Sequence, residues 1–343
     1  MPAATPPEST AQRSGVPEPA SAPRRLWRAF AILAALAAIA LLAWRVDLAS
    51  TLHTLERVEP LALALAAGMA LLDRFVMAWK WNLLLRVRGR ALRALDAFRL
   101  YLASGFVGYF VPAVGSDFFR AARLSVSGRA LSNVSASILL ERVLGLIAVL
   151  GIGLAGLAVL VRRGGRADLA PVLWTVALAF LGVLGATILS LNERLFAQLR
   201  RASARFSHVR ALELLYALHA EYVAMSRARA TVLAFGLLSV INQLIQALAF
   251  APILLSIGAP VHLLSLCTLL PLTKAVFQLV PVPAGIGVAE GTFVVTLSLA
   301  RVPPAQGLAV ALAIRAIDLA MLFPMGVAYL LDATRLKRQG DLT

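Results

Sequence analysis

The sequence predicts an all-α integral membrane protein with six transmembrane helices and two re-entrant hairpins arranged as an inverted repeat. Hydrophobic residues make up 60% of the 343 residues, and the mean hydropathy is +0.83. A soluble chain is usually about half apolar or below. The apolar residues form long runs, and a bilayer core about 30 Å thick needs roughly 20 of them per helix. Two further apolar regions are interrupted by Pro, Gly and charged residues.

The chain opens with residues 1–23, which are rich in Pro, Ala, Ser and Thr. This composition predicts a disordered cytoplasmic tail. The basic residues Arg24, Arg25 and Arg28 then precede an apolar run at 29–44, as in a signal peptide. No small-x-small cleavage site follows, so we interpret this run as an uncleaved first helix. Five further runs are long enough to cross a bilayer: 61–85, 132–161, 170–191, 231–257 and 305–331.

The two interrupted apolar regions predict the re-entrant hairpins. Residues 100–111 form a run that is too short to cross before it meets Pro112. The second region, 263–300, contains the helix-breaking or charged residues Pro271, Lys274, Pro281, Pro283, Gly285, Gly287 and Glu290. A short helix, a Pro/Gly turn and a second short helix describe a re-entrant hairpin. Such backbone is tolerated at membrane depth where it is buried in protein or lines a cavity.

The distribution of basic residues predicts the orientation in the membrane. With a cytoplasmic N-terminus, 22 of the 33 Lys and Arg residues fall in cytoplasmic segments and 6 fall outside. This bias predicts that both termini, including a cytoplasmic tail at 333–343, face the cytoplasm of a cell with this protein in its inner membrane. The cytoplasmic loop 192–229 mixes apolar residues with arginines. Helices on the inner leaflet and a solvated basic loop both fit that pattern.

Composition also bears on partners and cofactors. The formal net charge is +16, but the basic residues flank apolar runs and are not interleaved with aromatics, so no nucleic-acid partner is expected. The single cysteine, Cys267, has no partner for a disulfide or a cysteine-based metal site. No two of the four histidines stand at ligand spacing, so we expect neither a metal nor a cofactor.

The two interrupted regions share a pattern in which a Pro/Gly turn precedes charged residues and the next span carries a further charged pair. The residues of the first half are Pro112, Gly115, Asp117, Arg120, Glu141 and Arg142. Those of the second half are Pro283, Gly285, Gly287, Glu290, Arg315 and Asp318. The half-repeats, 61–161 and 231–331, are joined by 162–230 and start on opposite sides. Inverted repeats with broken helices are typical of transporters, whose sites lie near the bilayer midplane.

The depth of the charges supports a site at the midplane. Glu141 and Arg315 are each about ten residues into their spans, or roughly 15 Å along the helix. Ionisable groups at that depth pair with one another or line a polar cavity. Arg315 and Asp318 share a helix face and are a possible pair, and Lys274 is a further candidate. The alternative is that these charges only hold the two halves together. Lys80 is expected to reach the interface along its alkyl stem.

Two segments carry a resemblance to a known family. The stretch "VPAVGSDFFRAARL", followed by "ASILLERVLGL", is similar to a P-x-x-x-G-x-D-x-x-R segment and an acid-Arg-x-x-Gly helix. The stretch "VPVPAGIGVAEGTFV" resembles a second signature, a Pro-rich turn into G-x-G-x-x-E-G. Both are found in the flippase-like family typified by the lysylphosphatidylglycerol synthase transmembrane domain, which includes YbhN-like proteins. The resemblance spans about residues 28–332 and departs at Ala289, where a basic residue often precedes the glutamate.

The resemblance implies a translocator of anionic or sugar-linked membrane lipids, with the shared turn and charged residues along the substrate path. It also implies that the chain is not a lipid-lysylating enzyme, since the soluble aminoacyl-transferring domain is not in the sequence. Two alternatives stay open. One is an integral membrane transferase that uses Asp117, Glu141 and Glu290 as acid and base. The other is a non-transporting partner of a glycosyltransferase or lipid-synthesis enzyme.

Overall fold

The computed structural model describes residues 46–89, 91–109, 113–126, 131–202, 210–279 and 287–340, and no strand occurs among them. The predicted first helix at 29–44 and the tail at 1–23 lie outside these residues. In the first half the helices are α1 (Leu48–Glu56), α2 (Pro60–Val87), α3 (Ala94–Gly108), α4 (Ala113–Val126) and α5 (Leu131–Arg162). They are followed by a 3₁₀ turn (Ala167–Leu169), α6 (Ala170–Ser190), α7 (Glu193–Ala202) and α8 (Arg210–Ser226). The second half contains α9 (Arg229–Leu248), α10 (Ala251–Ser256), α11 (Leu263–Leu279), α12 (Val288–Leu299) and α13 (Pro304–Gly340).

Five helical segments among the described residues are long and apolar enough to cross a membrane, namely 60–87, 131–162, 167–190, 229–256 and 304–329. They confirm the prediction of an all-α chain with membrane-length helices. One predicted span, 231–257, divides into α9 and α10. Pro252 lies in the first turn of α10 and has no N–H for the helical bond that would continue α9. The last helix runs to Gly340, beyond the predicted end of its apolar run.

The helix pair α3–α4 begins and ends at one end of the bundle. The side-chain amide of Asn82, near the end of α2, donates to the carbonyl of Leu92 and accepts its N–H, both at 2.8 Å. Leu124, near the end of α4, belongs to the same buried apolar cluster as Leu85 and Val134. Both outer ends of α3–α4 therefore lie where α2 ends and α5 begins.

The helix pair α11–α12 begins and ends at the other end of the bundle. Near the start of α11, Thr268 packs so closely against Gly156 that a Cβ at position 156 would overlap it. At the end of α12, the carbonyl of Leu299 accepts a 2.8 Å hydrogen bond from the guanidinium of Arg166. Both outer ends of α11–α12 therefore lie beside the end of α5. The two helix pairs enter the bundle from opposite ends.

The described part of the segment between the two halves is mostly helical, and α8 packs against α5. Tyr222 and Met225 of α8 are buried in a cluster with Leu84 and Phe235, so this part of the segment belongs to the bundle. The Glu221 carboxylate accepts hydrogen bonds of 2.7 and 3.0 Å from the Arg88 guanidinium. These bonds raise the pKa of Arg88. The bonded pair fixes α8 to the end of α2.

Candidate functional site

Arg120 lies at the centre of a charged cluster in the first half. It is 5% exposed, and its guanidinium donates to Asp117 at 2.7 Å and to Glu141 at 2.9 Å. Asp117 and Arg120 are three residues apart on α4, so their side chains share a face. The guanidinium also lies over the rings of Trp81 and Tyr101, 4.8 and 4.9 Å from their centroids. Arg120 is thus held by two carboxylates and two aromatic faces.

Glu141 and Arg142 are adjacent on α5 and contact different partners. Glu141 accepts from Arg120 and, at 3.2 Å, from the hydroxyl of Tyr101. Arg142 forms an ion pair with Asp117. Each of the two therefore pairs with a residue of α4. Asp117 bridges two arginines and Arg120 bridges two carboxylates, so the four side chains form one network whose formal charges cancel.

A second charged pair lies in the other half, at the start of α12. Glu290 forms an ion pair with Arg315 of α13. The second carboxylate oxygen of Glu290 accepts the backbone N–H of Gly287 at 2.7 Å. Gly287 has a φ of +79°, in the left-handed region that favours glycine. The predicted turn glycine therefore shapes the helix start that positions Glu290.

The possible pairing of Arg315 with Asp318 is wrong. Arg315 binds Glu290, and Asp318 accepts a 2.9 Å hydrogen bond from Arg74 of α2. A direct Arg315–Asp318 pair would leave Glu290 and Arg74 without their ionic partners. Unpaired charges inside a membrane bundle are costly, so pairing across helices satisfies all four groups.

The inner ends of the two helix pairs meet at Tyr109. This residue follows α3, and its ring centroid lies 6.0 Å from the guanidinium carbon of Arg315. The first helix pair thus contacts the arginine that holds the start of α12. The Arg315–Glu290 pair therefore lies beside the inner end of α3.

The sequence-based prediction missed a polar cluster between α2 and α9. Lys80 was expected to reach the membrane interface, but its side chain is buried and hydrogen-bonded to Ser239 and Asn242. Asn242 also donates to Asp73. Because α2 and α9 pack face to face, a polar group on one helix meets those on the other. The signal in the sequence was the presence of Ser239 and Asn242 within an apolar run.

The remaining predicted residues are distributed as follows. Gly115 lies in the first turn of α4. Lys274 belongs to α11, and its side chain lies outside what the structure describes. Pro112, Pro283 and Gly285 are also outside the described residues. Within the described part of the chain, no group of three His, Cys, Asp or Glu residues is placed to hold a metal ion.

Membrane-length helices with buried charged pairs between them, and two helix pairs that enter from opposite ends, define a polytopic membrane protein. Residues 28–326 match the family described as the lysylphosphatidylglycerol synthase TM region. The chain belongs to this family, as the two motifs indicated. No curated protein gave a match in the comparison with this chain.

Proposed function

We propose that this protein translocates membrane lipids or lipid-linked sugars, moving a polar headgroup past the charges that lie between the two helix pairs. One observation carries the proposal. Each of the two helix pairs carries a buried ion pair: Arg120 of α4 binds Asp117 and Glu141, and Glu290 of α12 binds Arg315 beside Tyr109, at the inner end of α3. The headgroup of a lipid needs a polar path across the membrane, while the acyl chains of the same lipid stay in the bilayer. Family membership supports a lipid-related substrate.

The topology we propose has six crossings, made by 29–44 and the five long helical segments. The pairs α3–α4 and α11–α12 are re-entrant hairpins, and the half-repeats that contain them are inverted. The opposite placement of their outer ends supports this arrangement. The excess of basic residues in the segments joined at the α3–α4 end supports a cytoplasmic location for that end and for both termini, in the inner membrane.

The charged network supports reversible binding of a phosphate group. A guanidinium can donate two parallel hydrogen bonds to phosphate oxygens. Of the two arginines in the first-half network, Arg142 has the more exposed side chain: 32% of it is exposed, against 6% for Arg120. We propose that Arg142 meets the headgroup first and that the phosphate displaces Asp117. When the carboxylate returns, it displaces the phosphate, so that the site releases what it binds.

This mechanism changes the position of the lipid and leaves its covalent structure intact, so we propose a transporter and not an enzyme. Phe118 supports a path that is open to lipid on one side. It is adjacent to Asp117 and 70% exposed, which suits contact with acyl chains. A glycosyltransferase or lipid-synthesis enzyme that makes the translocated lipid is the partner this activity implies.

The test is reconstitution of the purified protein into liposomes that contain fluorescent lipids with several headgroups. Dithionite quenches only the outer leaflet, so the quenched fraction reports movement across the bilayer. We expect faster movement of at least one anionic or sugar-linked lipid than in empty liposomes. Arg120→Lys should slow it because a point charge replaces a two-pronged donor.

Arg123→Lys is the matched control for this test. It makes the same change one turn further along α4, where the guanidinium lies 5.4 Å from the centroid of the Tyr329 ring. It should leave the rate close to that of the wild type. If no headgroup moves faster than in empty liposomes, the translocation proposal fails. Capture of a transferase by the same protein would then favour the accessory role.

A further inference from the structure

Lys80 is a buried ammonium whose described contacts are with neutral groups. Its side chain is 2% exposed, and Nζ donates to the Ser239 hydroxyl at 3.3 Å and to the Asn242 side-chain oxygen at 3.2 Å. The ring of Phe235 lies below, with its centroid 5.1 Å away. Among the ion pairs found in the described residues, none includes Lys80. The proton on Nζ is therefore not held by a direct ion pair with a described carboxylate.

The groups around Lys80 suit both protonation states. A hydroxyl is a donor and an acceptor, so Ser239 can accept from an ammonium or donate to the lone pair of an amine. The Asn242 oxygen accepts from either form, while its amide nitrogen donates to the Asp73 carboxylate. A carboxylate in the place of these neutral groups would instead fix the proton on the lysine. The pocket therefore accommodates loss of the proton without rearrangement of the helices.

Two carboxylates act on Lys80 from a greater distance. Asn242 connects Lys80 to the Asp73 carboxylate of α2. Glu141 of α5 lies one turn after Ser137, which accepts the indole N–H of Trp81, the residue next to Lys80. The contacts from α9 come from Phe235, Ser239 and Asn242, which carry no charge. Glu141 is also the carboxylate that binds Arg120 at 2.9 Å. Lys80 and Arg120 therefore compete for the negative charge of one residue.

We infer that Lys80 is a proton-binding site that couples headgroup binding to proton uptake, an inference that rests on the proposed function. When Lys80 is protonated, its ammonium shares the charge of Glu141, and Arg120 is freer to bind a phosphate. When the N–H bond breaks, the nitrogen keeps the electron pair and the proton passes to water. Glu141 then draws Arg120 back, and the phosphate leaves. One proton accompanies each headgroup.

The experiment uses liposomes with the reconstituted protein, an imposed pH difference and a membrane potential clamped by valinomycin and potassium. Dithionite quenching measures the leaflet distribution of a fluorescent phosphatidylglycerol, and trapped pyranine measures the internal pH. For the wild type we expect the lipid to accumulate in one leaflet by up to about tenfold per pH unit, with a matching proton flux. Lys80→Met should abolish both the accumulation and the flux.

Two further variants keep the test decisive. Lys80→Arg retains a fixed charge, so it should bind and move lipid without accumulation even if Lys80→Met does not fold. Lys337→Met removes a lysine near the C-terminus and should behave as the wild type. If the wild type moves lipid at one rate with and without the pH difference, and pyranine does not respond, the proton site is overturned while translocation stands.

A second measurement separates failure of the proton site from failure of the proposed function. Purified protein in weakly buffered detergent is mixed with dihexanoyl phosphatidylglycerol, and a pH dye reports proton uptake on binding. Uptake by the wild type and not by Lys80→Arg supports the proton site even if no lipid moves in liposomes. Lipid binding with equal uptake by both proteins, or with none, overturns it.

Discussion

The guanidinium of Arg315 lies 6.0 Å from the ring centroid of Tyr109 while it is ion-paired to Glu290. The arginine belongs to α13, the tyrosine follows α3, and the glutamate begins α12. One side chain therefore connects the inner ends of two helix pairs that enter the bundle from opposite ends.

Removing Arg315 should lower the stability of the helix bundle as well as the transport activity. Arg315→Ala leaves the Glu290 carboxylate buried without its ionic partner, which costs about 3–5 kcal/mol when the pair is fully buried. Adding Glu290→Gln to this variant should recover part of that loss, because the uncompensated charge is removed. The measurement is the free energy of unfolding in detergent for the two single variants and the double variant. Strictly additive losses would mean that the pair contributes no coupling energy.

Close packing of α5 on α11 gives a second prediction. A Cβ at Gly156 would overlap the side chain of Thr268, whereas one at Gly145 on the same helix would meet nothing within 4 Å. Gly156→Ala should therefore lower stability by about 1–3 kcal/mol. Gly145→Ala should be neutral or slightly stabilising, since alanine favours a helix more than glycine does. Thermal unfolding of both variants checks the difference, and equal melting temperatures would contradict it.

Several features of the fold and of the charged site could be predicted from the local sequence. The long helices follow from apolar runs, and both short helix pairs follow from Pro/Gly breaks within such runs. Intramembrane charge singled out Glu141 and Arg142, because an ionisable group at that depth needs a partner. For these features local sequence was sufficient.

The choice of partner was not predictable from local sequence. Arg315 and Asp318 are close on one helix, but each pairs with a residue from another element. Which residue that is depends on how the helices pack, and Arg74 lies 244 positions from Asp318. Lys80 was misjudged for the same reason, since the helix face that buries it is set by contact with α9. Helix spacing alone does not identify the neighbouring helix.

Orientation in the membrane gives a third prediction. On a Cys267→Ser background, a cysteine at exposed Arg201, in α7, should react with an impermeant maleimide only from the cytoplasmic side. A cysteine at exposed Arg163, just after α5, should react only from the outside. Inside-out and right-side-out vesicles provide the two sides. Labelling of both positions from one side would contradict the proposed topology.

The last prediction compares the two arginines of the first-half network. Arg120 is bound by both Asp117 and Glu141 and its side chain is 6% exposed, whereas that of Arg142 is 32% exposed. Arg120→Met leaves Glu141 buried without its ionic partner and close to Asp117, so it should cost about 3–5 kcal/mol of stability. Arg142→Met should cost about 1 kcal/mol or less, because water screens its pair and Asp117 keeps its bond to Arg120.

The carboxylates provide the control for this comparison. Glu141→Gln should recover part of the stability lost in Arg120→Met, since it removes the charge left without an ionic partner, while Asp117 keeps its pair with Arg142. The same substitution should not rescue Arg142→Met, because Glu141 is held by Arg120 and Tyr101, and removing its charge there weakens an intact pair. Unfolding free energies in detergent decide between these outcomes. If Glu141→Gln rescued both arginine variants equally, the network would respond to its total charge and not to the individual pairs.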